Sequence, residues 1–162
     1  MAREFDRRAL LGTAALGGIA WLVFRPSSGE ATVRFEVTHT PAQWKQLLGP
    51  ERYYVLREAG TERPFTSPLN EEHRRGTFAC AGCALPLFSS TTKFESGTGW
   101  PSFYRPFPHA VAERSDHSML MDRTEVLCAR CGGHLGHVFP DGPKPTGLRY
   151  CMNGLALRFR AA

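Results

Sequence analysis

The sequence predicts a mostly β domain with an antiparallel sheet, small helices before the sheet and a structural metal site. Three observations support this fold class. Helix-start signals and helical spacing come first, between residues 40 and 60. From Gly76 onward, short runs of β-forming residues alternate with segments rich in Gly, Pro and Ser. Four of the five cysteines form two Cys-x-x-Cys pairs.

Residues 1–24 are predicted to be a twin-arginine-like signal or an N-terminal anchor. Arg7 and Arg8 precede an uncharged run over residues 9–24. A helix of that run would reach about 24 Å, short of the roughly 30 Å hydrocarbon core of a membrane. A basic start followed by a short apolar stretch is typical of an export signal. A buried helix of the domain is the alternative.

No clean Ala-x-Ala cleavage site follows this segment, so it is either removed or kept as a membrane anchor. The expected location is the periplasm, with the protein either free or anchored to the cytoplasmic membrane and facing the periplasm. Residues 25–37, which contain Pro and Ser residues that interrupt regular structure, are predicted to be a linker. Residues 38–160 are predicted to be the folded domain.

The predicted helices have recognisable ends. Thr40 and Pro41 combine a capping residue with a proline in the first turn. Gly49 ends the first helix, the following proline opens a second, and Gly60 closes that one. Downstream, the predicted strands are Thr77–Ala79, Met119–Met121, Val126–Cys128 and Leu155–Phe159.

The four paired cysteines, Cys80, Cys83, Cys128 and Cys131, are candidate ligands of one structural zinc ion. Each pair has the two-residue spacing of a zinc knuckle, and a glycine in or just after each pair allows a tight turn. Two disulfides are an alternative if the domain is exported. A local site formed by Cys128, Cys131, His134 and His137 is another, although its spacing is too tight for the usual Cys₂His₂ arrangement.

The fifth cysteine, Cys151, is the candidate nucleophile. If its segment is extended, Arg149, Cys151 and Asn153 lie on one face because alternate residues of a strand share a face. A neighbouring guanidinium favours the thiolate form of a cysteine. The alternative is an inert cysteine in an apolar strand face.

Two further segments favour the reactive interpretation. His134 and His137 lie in a glycine-containing stretch before the cysteine, where they are placed for proton delivery. Trp100 is held between Gly99 and Pro101 and would form a rigid apolar wall. Core packing is the alternative role for this tryptophan.

These residues resemble the B-type methionine sulfoxide reductases, and the motifs occur in the same order over roughly residues 41–157. The matching segments are Val55–Phe65, Cys80-x-x-Cys83, Ser96–Phe103, Cys128-x-x-Cys131, Gly133–Phe139 and Arg149-Tyr150-Cys151-x-Asn153. The resemblance implies two antiparallel sheets with small N-terminal helices and one structural zinc ion per chain. It also implies reduction of methionine-R-sulfoxide, free or in proteins, to methionine.

The resemblance further implies roles for individual residues. Cys151 would attack the sulfoxide sulfur and be left as a sulfenic acid. His134 and His137 would supply a proton or orient a water that carries one. Trp100 would hold the substrate methyl group, with Phe139 nearby, and so select the R epimer. Two residues, Arg149 and Asn153, would tune and position the active-site shell.

Two positions depart from the family pattern. Thr98 stands where many members have a second cysteine that resolves the sulfenic acid as a disulfide. An external reductant is therefore expected, either a thioredoxin-like protein or a small thiol. Gly154 stands where the family usually has serine, and a tuning effect is expected there.

The remaining alternative is a zinc-ribbon-like binding module without catalysis, in which Cys151 is inert. The formal net charge of +5 raises the question of a nucleic-acid partner. However, the basic residues are scattered and no stripe of basic and aromatic residues supports such a partner. No nucleic-acid partner is therefore predicted, and the basic charge is interpreted as a mildly basic surface.

Overall fold

The computed structural model describes residues 34–118 and 121–162. Within them the chain forms α1 (Pro41–Glu58), β1 (Gly76–Cys80), β2 (Pro86–Ser89), β3 (Lys93–Phe94), β4 (Ser102–Phe103), β5 (Val111–Asp116), β6 (Arg123–Cys128), β7 (His134–Phe139), β8 (Arg149–Met152) and β9 (Leu157–Ala161).

The strands form two sheets, and every strand pairing within them is antiparallel. The smaller sheet has the order β2-β1-β9 and the larger has the order β3-β4-β8-β7-β6-β5. The predicted fold class, mostly β with two antiparallel sheets and N-terminal helical structure, is confirmed. In the larger sheet β8 lies between β4 and β7, so residues far apart in sequence meet around it.

The helix α1 begins with a capping box. The Thr40 hydroxyl accepts a bond from the Gln43 backbone N–H at 3.3 Å, and the Gln43 side chain accepts one from the Thr40 N–H at 2.9 Å. At Gly49 the backbone leaves helical geometry, with φ 71° and ψ 172°, so α1 consists of two helical segments. The sequence predicted this interruption. The second segment ends at Glu58, and Ala59 adopts a left-handed conformation as the C-cap.

The predicted strands are confirmed in part. Thr77–Ala79 lies within β1 and Val126–Cys128 lies within β6. The last prediction began too early, because residues 154–156 form a 3-10 turn and β9 begins only at Leu157. Residues 119 and 120 lie outside the described part of the chain, and Met121 belongs to no strand.

An aromatic cluster joins the two sheets. Phe88 of β2 stacks on Phe103 of β4 with ring centroids 4.4 Å apart, and Phe78 of β1 meets Phe103 edge-on at 4.9 Å. All three rings are fully buried, as are Val55 and nearly all of Leu56 from α1. Full burial of each such side chain stabilises the fold by roughly 1.5–3 kcal/mol. The cluster therefore fixes β4, the strand next to β8.

The predicted signal or anchor over residues 1–24 and most of the predicted linker over residues 25–37 lie outside the described residues. The described end of that linker contacts the domain. The Val37 N–H donates to the Arg130 carbonyl oxygen at 3.0 Å, and the Phe35 ring packs against Gly132. Among the described residues, none of the helices has the length and apolar character needed to cross a membrane.

Candidate active site and metal centre

The candidate active site is centred on Cys151 in β8. This residue lies directly opposite His137 of β7 on one side and Ser102 of β4 on the other. Directly opposed residues of antiparallel strands project from the same face of a sheet. The register therefore brings a thiol, an imidazole and a hydroxyl onto one face, although their positions in the sequence span 50 residues.

Cys151 is half-buried and opens into a pocket of about 130 Å³. The pocket is lined by Thr61, Trp100, Arg123, Gly136, His137, Phe139, Cys151 and Asn153. Three other surface grooves are larger, about 830, 690 and 310 Å³, but none of them is lined by a cysteine. The nucleophile therefore places the candidate reaction in the small pocket.

Of the residues predicted for the active site, the pocket brings together five: Cys151, His137, Asn153, Trp100 and Phe139. His134 and Arg149 do not line it. The close approach of β7 to β8 depends on glycine, since a Cβ at Gly136 would lie 2.1 Å from the Cys151 carbonyl oxygen. No larger residue fits there without moving the strand that carries the thiol.

Thr98 lies beside the thiol. Its hydroxyl oxygen is 3.7 Å from the Cys151 sulfur, and it also bonds the Ser96 hydroxyl at 2.8 Å. Ser96 in turn contacts the hydroxyl of Ser102 at 2.7 Å. A chain of hydroxyl groups thus borders the candidate nucleophile.

His134 is buried beneath the sheet surface and paired with a carboxylate. Its Nδ1 lies 2.7 Å from Glu125 Oε1, and both side chains are at least nine-tenths buried. Burial opposes ionisation of Glu125, but hydrogen bonds from His134 and Arg114 lower the pKa of this carboxyl group. Nε2 of His134 has no hydrogen-bond partner, and its ring lies 5.5 Å from that of His137. His134 therefore reaches the pocket only through His137.

His137 is held by a second carboxylate. Its Nε2 lies 2.8 Å from Asp116 Oδ2, an oxygen that also accepts a 2.7 Å bond from Arg123. Burial lowers the pKa of His137, Asp116 opposes this shift, and the positive charge of Arg123 adds to it. Hydrogen bonds, first from Ser118 and then from His137, hold the pKa of Asp116 well below its usual range.

Arg149 supports one wall of the pocket. Its guanidinium group makes two bonds to the Asp141 carboxylate, at 2.9 and 2.8 Å, and lies 4.4 Å from the centre of the Phe139 ring. The hydrogen bond to Asp141, with a smaller contribution from Cys151, raises the pKa of Arg149. Arg149 and Cys151 share the half-exposed face of β8, as the predicted strand parity required.

Glu62 connects the tryptophan wall to Asn153. The Trp100 Nε1–H donates to the Glu62 carbonyl oxygen at 3.1 Å, and the Glu62 N–H donates to Asn153 Oδ1 at 2.9 Å. The buried Glu62 carboxylate accepts the backbone N–H groups of Gly154 and Leu155. Burial raises the pKa of Glu62, while these two hydrogen bonds oppose the shift.

Gly154 fits this network because Ser67 fills the space beside it. A Cβ at position 154 would lie 1.9 Å from Ser67 Oγ and 2.6 Å from Ser67 Cβ, so rotating the hydroxyl would not relieve the clash.

We expect Gly154→Ser to lower the free energy of unfolding by about 1–3 kcal/mol. The pair Gly154→Ser with Ser67→Gly should recover most of that loss in urea denaturation, with Ser67→Gly alone as the control. An equal loss in both backgrounds would contradict this.

The four paired cysteines meet in one cluster, with all four sulfur atoms within 4.8 Å of one another. Cys80 and Cys131 have sulfurs 3.7 Å apart, and those of Cys83 and Cys128 are 3.5 Å apart. Sulfurs around a tetrahedral zinc ion are about 3.8 Å apart. The donor set and its spacing therefore fit one zinc ion, and the predicted metal site is confirmed.

Both alternatives for these cysteines are wrong. The five cysteines are all free, and the sulfur separations between the pairs, 3.7 and 3.5 Å, are far longer than the roughly 2.05 Å of a disulfide. His134 and His137 bond carboxylates and take no part in the cluster. Since β1 ends at Cys80 and β6 at Cys128, a metal here ties the smaller sheet to the larger one.

Five residues of the site were missed by the sequence interpretation: Thr61, Glu62, Asp116, Arg123 and Glu125. Glu125 directly precedes the predicted strand Val126–Cys128, where an acidic residue is ordinarily exposed, so its burial against His134 had no signal in the sequence. The others lie in loops or at strand ends, where their partners are set by tertiary structure.

A half-buried thiol that opens into an aromatic pocket, with a four-cysteine metal site elsewhere in the domain, defines a small zinc-containing thiol oxidoreductase. Residues 48–161 match the SelR domain. The chain is 59% identical over 121 residues to the peptide methionine sulfoxide reductase MsrB of Thiobacillus denitrificans, covering 74% of this chain and 92% of that protein. The chain therefore belongs to the B-type methionine sulfoxide reductase (SelR) family, as its motifs predicted.

Other relatives give the same result. The peptide methionine sulfoxide reductase MsrB of Leptospira interrogans is 53% identical over 129 residues, covering 79% of this chain and 98% of the relative. The protein of that name from Methanosarcina barkeri is 54% identical over 125 residues, with coverage of 76% and 88%. A non-catalytic zinc module is not favoured by these similarities or by the opening of Cys151 into the pocket.

Proposed function

We propose that this chain reduces methionine-R-sulfoxide to methionine, with Cys151 as the nucleophile. The observation that carries the proposal is the position of this thiol, which opens into an aromatic-walled pocket while the other four cysteines form the metal cluster. The similar proteins bear the name of a reductase that acts on peptide methionine sulfoxide. Zinc supplies structural cohesion in the cluster and takes no part in the chemistry.

The reaction moves one oxygen atom from methionine to the enzyme. The Cys151 thiolate attacks the sulfoxide sulfur, which is reduced as the cysteine sulfur is oxidised. The sulfoxide oxygen needs a proton as its bond to the methionine sulfur breaks. The bond between the two sulfur atoms breaks as the protonated oxygen becomes bonded to the Cys151 sulfur. Methionine leaves with its sulfur reduced, and Cys151 is left as a sulfenic acid.

His137 is the group best placed to handle that proton, because it lies opposite Cys151 and lines the pocket. It either donates the proton or orients a water molecule that does. His134 does not reach the pocket, so it is a positioning residue that packs against His137 with its own orientation fixed by Glu125. Asn153 lines the same pocket as the thiol, and the guanidinium of Arg149 packs against the Phe139 ring, which supports positioning roles for both residues.

The proton-handling proposal predicts a change in the titration of His137. Asp116 raises the pKa of His137 against the effect of burial, so Asp116→Asn should move this pKa further below its ordinary value. NMR titration of the imidazole measures the shift directly. As the pH rises, the activity that depends on protonated His137 should be lost at a lower pH in the variant than in the wild type. Asp122→Asn, which alters the exposed pair with His117, serves as the control. An unchanged or raised His137 pKa would contradict the proposal.

The pocket walls support selection of the R epimer. Trp100 and Phe139 form apolar surfaces on which the substrate methyl group can rest, and Cys151 then meets the sulfur from one side. The test is reduction of peptides that carry either the R or the S epimer, with dithiothreitol as the reductant. We expect consumption of the R epimer alone, and consumption of the S epimer would overturn the proposal.

Recycling of the sulfenic acid is proposed to need an external thiol, either a thioredoxin-like protein or a small thiol. The neighbour of Cys151 is Thr98, and the other cysteines lie in the metal cluster. Two equivalents of thiol would return Cys151 to its reduced form, yielding one disulfide and one water molecule. Mass spectrometry after a single turnover should show sulfenic acid or its adduct at Cys151; an intramolecular disulfide would refute this recycling route.

We also propose that residues 38–160 form the catalytic domain and that residues 1–24 direct export to the periplasm or anchor the domain there. The support for export is the sequence alone: Arg7 and Arg8 before an uncharged run. Cell fractionation tests the location. Replacing both arginines with lysine should retain the protein in the cytoplasm if the twin-arginine pathway carries it, and unchanged export would refute that route.

A further inference from the structure

Phe65 combines two features that a folded domain normally avoids. Its side chain is 71% exposed to solvent, and its backbone has a φ of 63°, in the left-handed region. Bulky side chains rarely adopt this conformation. An exposed ring contributes little to the core, so its position is not explained by folding, and such strained residues are concentrated at functional sites.

Phe65 is tied to the active-site loop at Gly99. Its backbone N–H donates to the Gly99 carbonyl oxygen at 2.7 Å. Its ring also lies close to Gly99, because a Cβ at that position would be 2.9 Å from Phe65 Cδ2. Gly99 itself has a φ of 91°, a conformation that suits glycine.

This contact sets the ring beside the reaction pocket. Gly99 separates Thr98, whose hydroxyl lies 3.7 Å from the Cys151 sulfur, from Trp100, which lines the pocket. The same loop is held a second time, since the Trp100 indole donates to the Glu62 carbonyl oxygen. Phe65 is therefore an exposed aromatic ring fixed at the rim of the site.

The size of the pocket determines what reaches that rim. A volume of about 130 Å³ accepts one thioether side chain and leaves the rest of a polypeptide outside. Consecutive Cα atoms are about 3.8 Å apart, so residues next to an oxidised methionine must lie on the rim. We propose that Phe65 is a docking platform for an apolar side chain that flanks methionine sulfoxide in a polypeptide. This inference rests on the proposed function.

A polypeptide substrate suits this surface better than the reductant does. The sulfoxide side chain must enter the pocket fully, which presses the neighbouring residues against the rim. A reductant needs only to bring one sulfur atom to Cys151 after methionine has left. An aromatic ring also gives favourable contacts to aliphatic and aromatic side chains alike, which suits substrates of varied sequence.

The test measures single turnover, without reductant, on two peptides that carry methionine-R-sulfoxide. In one peptide leucine flanks the sulfoxide, and in the other glycine does. We expect the wild type to bind the leucine peptide more tightly and Phe65→Ala to reduce this preference about tenfold, the effect of losing one apolar side-chain contact. Phe65→Tyr should keep the preference. Leu47→Ala removes an exposed apolar side chain from α1 and is the matched control.

Two results for Phe65→Ala would contradict its proposed role as a docking platform. An unchanged preference in Phe65→Ala would overturn the platform, as would an equal loss on both peptides. Phe65→Gly, which relieves the backbone conformation, provides a second variant if Phe65→Ala melts at a lower temperature. If the wild type reduces neither peptide, the proposed function itself is wrong, and the proposed role of Phe65 is then wrong as well.

Discussion

Replacing Cys151 with serine is expected to lower reductase activity by at least about a thousandfold, the scale seen when an enzyme loses its nucleophile. A serine hydroxyl is far less ionised and less nucleophilic towards sulfur than a thiol. The half-buried position opposite His137 would accept the serine Oγ in place of the cysteine Sγ with little change in packing. The measurement is kcat/KM for a peptide carrying methionine-R-sulfoxide, with dithiothreitol as the reductant.

The loss of reductase activity in Cys151→Ser should come from the missing thiol and not from a change in the fold or the metal site. Cys151 lies outside the metal cluster, so Cys151→Ser should retain its zinc and its melting temperature. Mass spectrometry after incubation with the sulfoxide should show no added oxygen on the variant protein, in contrast to the wild type. Activity within tenfold of the wild type would exclude Cys151 as the nucleophile, whatever the behaviour of the metal site.

The sequence predicted the composition of the site better than its geometry. Spacing alone identified the four metal ligands, and the alternation of residues placed Arg149 and Cys151 on one face of a strand. The adjacency of Cys151 and His137 could not be predicted, because it depends on the register between β7 and β8. A shift of one residue in that register would turn the imidazole to the opposite face.

The residues that hold the histidines were missed for a related reason. Glu125 of β6 bonds His134 of the neighbouring β7, whereas Asp116 of β5 bonds His137 of β7 past the intervening β6. These roles exist only once β5, β6 and β7 are aligned. Glu62 acts from a loop, and its bonds to Trp100 and Asn153 are made by backbone groups, which leave no trace in residue type.

The fold was predicted at the level of class but not of every strand. β3 and β4 contain two residues each, too few for any alternating pattern to appear. The apolar residues after Asn153 suggested a strand that continued the face of Cys151. Instead, Asn153 bonds Leu135 and Glu62, a 3-10 turn follows, and the chain enters the other sheet as β9.

Loss of the metal is expected to unfold the domain. The four thiols join the end of β1 in the smaller sheet to the end of β6 in the larger one. Structural zinc contributes on the order of 10 kcal/mol in small metal-binding peptides, against a total stability of about 5–15 kcal/mol for a typical domain. A strong chelator or Cys80→Ser should therefore abolish the cooperative melt near the wild-type temperature.

The decisive measurement combines zinc content with circular dichroism. The wild type should bind one zinc ion per chain, and Cys80→Ser, which leaves three thiols in the buried cluster, should lose the ion and the native β spectrum together. Cys151→Ser is the matched control, since it removes a thiol outside the cluster. A metal-free protein that keeps its melting temperature would show that the aromatic contacts among Phe78, Phe88 and Phe103 suffice to hold the two sheets together.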